Sequence, residues 1–156
     1  KASFEEHGFD EVVTYIASGN VVFTASAPSS AALARKIEAG LLETFSCTTI
    51  VVLRDAKQMK DIVARAPKGF GTKPETYRYD VIFLAPSLTA ADALKSVPLN
   101  PAVDTAHAGT GVLYFSRLIA KATASRLGKI AATPIYKSLT IRNWNTTTAL
   151  ARLTAE

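Results

Sequence analysis

The order of the elements predicted for residues 79–142 constrains the fold of this chain more than any other feature. Apolar, β-branched stretches of strand length alternate there with helical patterns in the order β-α-β-β-α-β, which is that of the ferredoxin-like split βαβ unit. A last helix, capped by Asn145 or Thr146, follows. The predicted segments are Tyr79–Ala85, a helix from Thr89 to before Pro98, Val103–Ala108, Val112–Ser116, a helix within residues 117–133, and Ser138–Arg142.

The first half of the chain shows the same order without an opening strand. Two strands flank the turn Ser18-Gly19-Asn20, where glycine and asparagine tolerate the positive φ angles of a tight hairpin. A helix at Ser29–Phe45 and a strand at Thr48–Leu53 complete the order α-β-β-α-β. We therefore predict an α+β protein of two ferredoxin-like lobes related by internal duplication, with mostly antiparallel sheets and helices packed on one face.

A stretch rich in proline and glycine is predicted to separate the lobes. This predicted linker comprises residues 66–78. The first lobe is then residues 1–65, including a connecting helix that the capping box of Asp55 and Gln58 opens. The second lobe, with its C-terminal helix, is residues 79–156.

Two segments of the chain resemble one protein family. They are Thr14–Phe23, and Pro134-Ile135-Tyr136 leading into Thr140–Thr146. Together they are similar to the bacterial domain of unknown function family 1697. The resemblance implies a two-lobed α+β protein and implies no particular activity, since the family has no established biochemical function. It also implies an N-terminal strand and a Gly-rich loop with an arginine and an asparagine, ahead of the helix that ends at His7.

The first lobe consequently has a strand position with no segment to fill it. In a ferredoxin-like unit the first strand lies inside the sheet. If its position is empty, the backbone N–H and C=O groups of the two neighbouring strands are left unpaired. We expect either that the natural protein begins upstream of Lys1, or that another segment or a second copy of the chain fills the position. A second copy would make the protein a homodimer through this open strand slot.

The net charge of +5 is unevenly distributed. Residues 105–155 contain seven Lys and Arg residues and no acid, and such a segment attracts phosphates or nucleic acid. The alternative is a solvated basic surface whose acidic partners come from the other half of the chain. The residues predicted to share one basic face are Arg117, Lys121, Arg126, Lys129 and Lys137.

Several chemistries have no support in the sequence. It contains no phosphate loop and no metal-ligand spacing, so we assign no catalytic residue, no metal and no cofactor. Cys47, the single cysteine, is predicted to be a buried structural thiol and fits a reducing cytoplasm. The apolar runs are too short to span a membrane, and we expect a cytoplasmic protein without a membrane partner.

The segment before the last helix is the best candidate ligand site. A helix N-terminus favours an anion, an arginine can bind it in a bidentate fork, and a tryptophan can stack on a ring. The alternative is structural: a helix cap at Asn145, Trp144 packed between the lobes, and Arg142 holding backbone carbonyls. The candidate ligand-binding residues are Arg142, Asn143, Trp144, Asn145 and Thr146, with Ser18 and Asn20 of the hairpin turn.

Three classes of function stay open. The favoured hypothesis is a binding protein for an anionic ligand such as nucleic acid or a nucleotide, although Val112–Phe115 only faintly echoes the aromatic pattern of RNA-recognition sheets. The second is an enzyme acting on a phosphorylated small molecule that Arg142, Asn143 and Asn145 orient. The third is a structural or assembly module without a small ligand.

Overall fold

The computed structural model describes residues 1–16, 19–26 and 29–156 of the chain. These residues form two compact units, one of residues 1–53 together with Glu156, and one of residues 54–155. The boundary between the units therefore lies ahead of the helix that Asp55 caps, and not in the stretch 66–78 predicted as the linker. That helix belongs to the second unit.

The first unit is a hairpin packed with two helices. Its small core contains Phe9, Val12 and Ile37. Gly8, at a φ of +80°, follows the first helix, as its position in the sequence predicts. The elements are α1 (Ala2–Glu6), β1 (Asp10–Tyr15), β2 (Asn20–Thr24) and α2 (Ser30–Phe45), and β1 and β2 pair in antiparallel fashion.

Residues 48–53, predicted to be a strand, form no strand in the structure. The backbone N–H of Val51 donates to the Glu38 carboxylate at 2.9 Å instead of entering a sheet ladder. Val51 and Leu53 pack against the apolar core of the first unit. The apolar residues of this segment are thus explained by their packing against the core. An unpaired segment can bury such residues as well as a paired strand can. Because two strands cannot define a strand order, the internal duplication stays a prediction.

The second unit has the predicted ferredoxin-like order. Its antiparallel sheet runs β4-β5-β3-β6, with the first strand of the unit between the third and the fourth. The capping box is also present, since Asp55 accepts from the N–H of Gln58 and Gln58 accepts from the N–H of Asp55. The elements are α3 (Ala56–Ala64), β3 (Tyr77–Leu84), α4 (Ala90–Ser96), β4 (Asp104–Ala108), β5 (Val112–Leu118), β6 (Leu139–Asn143) and α5 (Trp144–Leu153).

Helices cover both faces of this sheet rather than one. On one face, Ile82 and Leu113 belong to a buried cluster that includes Ala93 of α4. The neighbouring residue Tyr114 points to the other face, because successive side chains of a strand alternate. Its hydroxyl donates to the carbonyl of Ile62 in α3 at 2.6 Å. The prediction of an antiparallel α+β fold is confirmed. Helices pack on both faces of the sheet, so neither face is fully exposed.

The helix predicted within residues 117–133 is instead a series of short 3₁₀ segments. They contain buried Leu127 and Ile130, whose i,i+3 spacing matches the three residues per turn of a 3₁₀ helix. The N-cap residue of each segment makes no side-chain capping bond, and Gly128 weakens a regular helix there. The 3₁₀ segments are Ile119–Ala124, Leu127–Ala132 and Tyr136–Ser138. We call residues 119–138 the basic segment.

Among the residues that the structure describes, no helix combines the length and the apolar character needed to cross a membrane.

Candidate functional site

Asn143 caps the last helix, and this corrects the prediction of Asn145 or Thr146. The Asn143 side-chain oxygen accepts the backbone N–H of Thr146 at 2.8 Å, and the hydroxyl of Thr147 donates to the Asn143 carbonyl at 3.0 Å. Pairing of Asn143 with Asp80 extends β6 up to the helix, so α5 begins at Trp144, earlier than predicted. The cap uses N–H donors that an anion would otherwise take.

The Arg142 guanidinium is engaged with its own strand. Its Nη1 donates to the Thr140 hydroxyl at 2.6 Å and to the Ile141 carbonyl at 2.8 Å. Burial lowers the pKa of Arg142 from its ordinary value. These contacts favour the structural alternative, in which Arg142 holds backbone groups, over a bidentate fork for a ligand.

Trp144 packs on a loop of the second unit. Its ring meets the Phe70 ring edge to face, with the centroids 5.1 Å apart and an interplanar angle of 88°. The loop comes so close that a Cβ atom on Gly71 would lie 2.3 Å from the indole Nε1. Trp144 is half-buried, and its packing gives it a structural role without any ligand.

The hairpin turn of the first unit also has a structural account. Asn20 is buried, and its Nδ2 donates to the Tyr15 carbonyl at 3.0 Å, which ties the two strands together. Gly19 has the positive φ of +80° that a tight hairpin demands. Ser18 lies outside the described residues.

Four of the five cations predicted to form a basic face are exposed. None of the ion pairs among the described residues includes them. Buried Leu127 and Ile130 hold the inner side of the basic segment against the sheet, so its charged side chains point outward. Tyr136 is 48% exposed beside one of these cations. The exposed cations are Lys121, Arg126, Lys129 and Lys137.

The fifth cation, Arg117, belongs to a different environment. It lies on β5, and its Nε is buried without a hydrogen-bond partner. Burial raises the pKa of Asp80, while the positive charges of Arg117 and Arg78 act in the opposite direction. Arg117 therefore lies near Asp80 and Arg78 of β3 and is not one of the exposed cations of the basic segment.

Asp104 fixes the basic segment to the sheet. This carboxylate is 4% exposed, and its Oδ2 accepts the backbone N–H of Arg126 at 2.9 Å. The same oxygen accepts the N–H of Asn100 at 2.9 Å, and the Asn100 side chain donates to the Ala124 carbonyl. The exposed cations are thus carried by a backbone that is held at defined points.

A cleft of about 470 Å³ lies in the second unit, between α3, the loop after β3 and the turn Gly109-Thr110-Gly111. Arg54 lines it and donates through Nη2 to the carbonyls of Leu84, at 2.8 Å, and of Gly111, at 2.7 Å. Sequence patterns predicted the turn but not the cleft, because its walls come from residues far apart in the chain. We call it the α3 cleft.

Two predictions remain, on metal ligands and on the single cysteine. The described residues contain no group of three or more His, Cys, Asp or Glu side chains able to hold a metal ion. Cys47 is exposed, which corrects the prediction of a buried thiol. Cys47 follows the end of α2. Residues 48–53, which come directly after it, form no strand, so no sheet at this point buries the thiol.

Comparisons with known proteins identify the family. The model of the family "Protein of unknown function (DUF1697)" matches residues 1–114. The match ends within β5, so the similar segment at residues 134–146 lies beyond it. No curated protein matches the chain. The structure resembles that of the conserved bacterial protein SP0830 from Streptococcus pneumoniae, with a TM-score of 0.81 and 19% identity, over 99% of this chain and 86% of that one. At this identity the likeness shows the fold alone. The chain itself belongs to the DUF1697 family of proteins of unknown function.

Proposed function

We propose that this protein binds single-stranded nucleic acid through its basic segment. The observation that carries the proposal is the exposure of four cations in a stretch without any acid, where no ion pair among the described residues neutralises them. Cations that are already paired contribute little to phosphate binding, whereas unpaired ones release counterions from the nucleic acid. The basic segment therefore meets the electrostatic requirement for a polyanion.

An exposed aromatic ring in the same segment favours a single strand. Tyr136 precedes Lys137 and is about half exposed, so a base could stack on its ring while the cation contacts a neighbouring phosphate. Stacking of this kind is worth about 1–3 kcal/mol per base and tolerates any sequence. An irregular backbone of short 3₁₀ segments also lacks the long helix or ribbon that enters the groove of a duplex.

The proposal differs from sheet-mediated RNA recognition. In that architecture, exposed aromatics of the central strands stack on bases. Here Tyr114 is only 3% exposed and Phe115 is fully buried. The nucleic acid would accordingly follow the basic segment and leave the sheet untouched.

The enzyme alternative has less support. It gave Arg142, Asn143 and Asn145 the role of orienting a phosphorylated molecule, and two of these side chains, those of Arg142 and Asn143, already bond to the protein. A structural module without a small ligand stays the competing account, and a binding assay separates the two.

A matched pair of charge variants tests the proposal. One variant carries K121Q, K129Q and K137Q in the basic segment, and the control carries K60Q, K68Q and K73Q. The control lysines are also exposed and lie on α3 and the loop that follows it. Each variant lowers the formal net charge from +5 to +2. Fluorescence anisotropy would follow binding of a labelled oligothymidine of about 12 nucleotides, a length within the usual site sizes.

The two variants should behave differently. At low salt, loss of the three basic-segment lysines should weaken binding by about tenfold or more, and the control should stay within about twofold of the parent. Tyr136→Ala should weaken binding by about fivefold, the equivalent of about 1 kcal/mol of stacking. Absence of binding by the parent protein, or equal losses in both charge variants, would remove the proposal.

A further inference from the structure

We propose that the α3 cleft is a second binding site, for a small organic anion that carries a carboxylate or phosphate on an apolar body. The cleft lies wholly within the second unit and shares no residue with the basic segment. The inference is therefore independent of nucleic-acid binding.

The size and walls of the cleft suit an apolar body. Its volume of about 470 Å³ falls within the range of about 300–1,000 Å³ that is typical of ligand pockets. Pro86, Leu88 and Ala90, none of which is fully buried, supply the accessible apolar surface, and buried Ile62 and Tyr114 lie beneath it. Apolar walls with a few polar groups are the usual composition of such sites.

The charges that line the cleft favour an anion. The lining includes two cations, Arg54 and Arg65, and one acid, Asp61, whose carboxylate pairs with Lys57 at 3.2 Å. Arg65 has no part in the ion pairs of the described residues, and it is close enough to Tyr114 to lower the pKa that burial raises. Arg65 can thus donate to an anion at the Tyr114 end of the cleft.

The turn that borders the cleft is held in place before any ligand arrives. A Cβ atom on Gly109 would lie 2.6 Å from the Tyr114 ring, so the turn packs directly on that ring. Gly111 has a φ of +69°, and its carbonyl accepts from Arg54. A preformed wall lowers the entropic cost of binding.

NMR titration of the ¹⁵N-labelled protein tests the inference. The probes are benzoate and phenyl phosphate, with benzyl alcohol and inorganic phosphate as controls that each lack one half of the proposed ligand. Amide signals of Gly109 and Gly111 report on the cleft. The variant Arg65→Gln removes the cation, and Lys68→Gln is its matched control, because Lys68 is exposed and does not line the cleft.

We expect saturable changes in the amide chemical shifts of both glycines with at least one of the two anionic probes. The probe that binds more tightly shows whether the site prefers a carboxylate or a phosphate. Arg65→Gln should weaken this binding by about tenfold, the range of a charge-assisted hydrogen bond, and Lys68→Gln should leave it unchanged. Thr110→Trp, at the exposed tip of the turn, should weaken binding by narrowing the cleft. Absence of shifts, equal binding by Arg65→Gln, or equal binding of inorganic phosphate and phenyl phosphate would overturn the inference.

Discussion

Replacement of Gly71 by alanine should destabilise the second unit far more than replacement of Gly69. Both glycines have a φ of +82°, where an alanine costs about 1–2 kcal/mol in the left-handed region. A Cβ on Gly69 would meet only the Thr72 hydroxyl, at 3.9 Å. On Gly71 it would lie 2.3 Å from the Trp144 indole nitrogen and must displace that ring.

The magnitude follows from this pair of contacts. Gly69→Ala measures the backbone cost alone, about 1–2 kcal/mol. Gly71→Ala adds the cost of overpacking against a half-buried indole, about 1–3 kcal/mol. The reduced chain entropy of the unfolded state affects both variants alike and cancels in their difference. The difference in the free energy of unfolding should therefore be about 1–3 kcal/mol.

Urea denaturation followed by tryptophan fluorescence measures this difference, because Trp144 is the single tryptophan of the chain and lies at the contact itself. A second comparison in the Trp144→Ala background, followed by circular dichroism, removes the ring atoms Nε1 and Cδ1 that lie 2.3 and 2.6 Å from the Cβ position. There the two glycine variants should differ by less than about 0.5 kcal/mol, within the usual error of additivity. Equal destabilisation in the parent background would refute the structural role of Trp144 and revive its role in ligand stacking.

Two further predictions concern Asn143 at the end of β6 and Asp80, which pairs with it on β3. Asn143→Ala should lower the free energy of unfolding by about 1 kcal/mol, because the cap to the N–H of Thr146 is lost. Asn143→Asp should preserve stability, and Asn145→Ala should change it little. Urea titrations would check all three variants, and an equal effect of Asn145→Ala would contradict the assigned cap. Burial raises the pKa of Asp80 in the folded state above its value in the unfolded state. Above that raised pKa, the negative charge of Asp80 therefore lowers the stability of the fold. This destabilisation disappears as the pH falls towards about 4, because Asp80 is then protonated in the folded state. Asp80→Asn should thus raise the melting temperature more near pH 7 than near pH 4, and the opposite order would show that the electrostatic attraction of Arg117 dominates over burial.

Much of the second unit could be predicted from local patterns. The strand order followed from the alternation of elements, and the capping box of Asp55 and Gln58 followed from their three-residue spacing. The cap of α5 could not be predicted, because Asn143, Asn145 and Thr146 are all competent caps. Their choice depends on how far β6 pairs with β3, which is a tertiary property.

The candidate site was harder to predict than the fold. Arg142 and Trp144 are residues that bind anions and rings, but the same groups serve equally well to hold a strand and to pack on Phe70. Only the contacts distinguish the two roles. The α3 cleft has no local signal at all, since α3, the loop after β3 and the β4–β5 turn meet only in the folded chain.

The salt dependence of oligonucleotide binding tests the central proposal most directly. If Lys121, Arg126, Lys129 and Lys137 each contact one phosphate, the logarithm of the affinity should fall by about 0.7 per contact, or by about 2.8 in total, for each tenfold rise in salt. The variant without the three lysines should retain a slope of about 0.7, whereas the control without Lys60, Lys68 and Lys73 should retain the full slope. Affinity that does not change with salt, or a slope that both variants reduce equally, would contradict nucleic-acid binding by the basic segment.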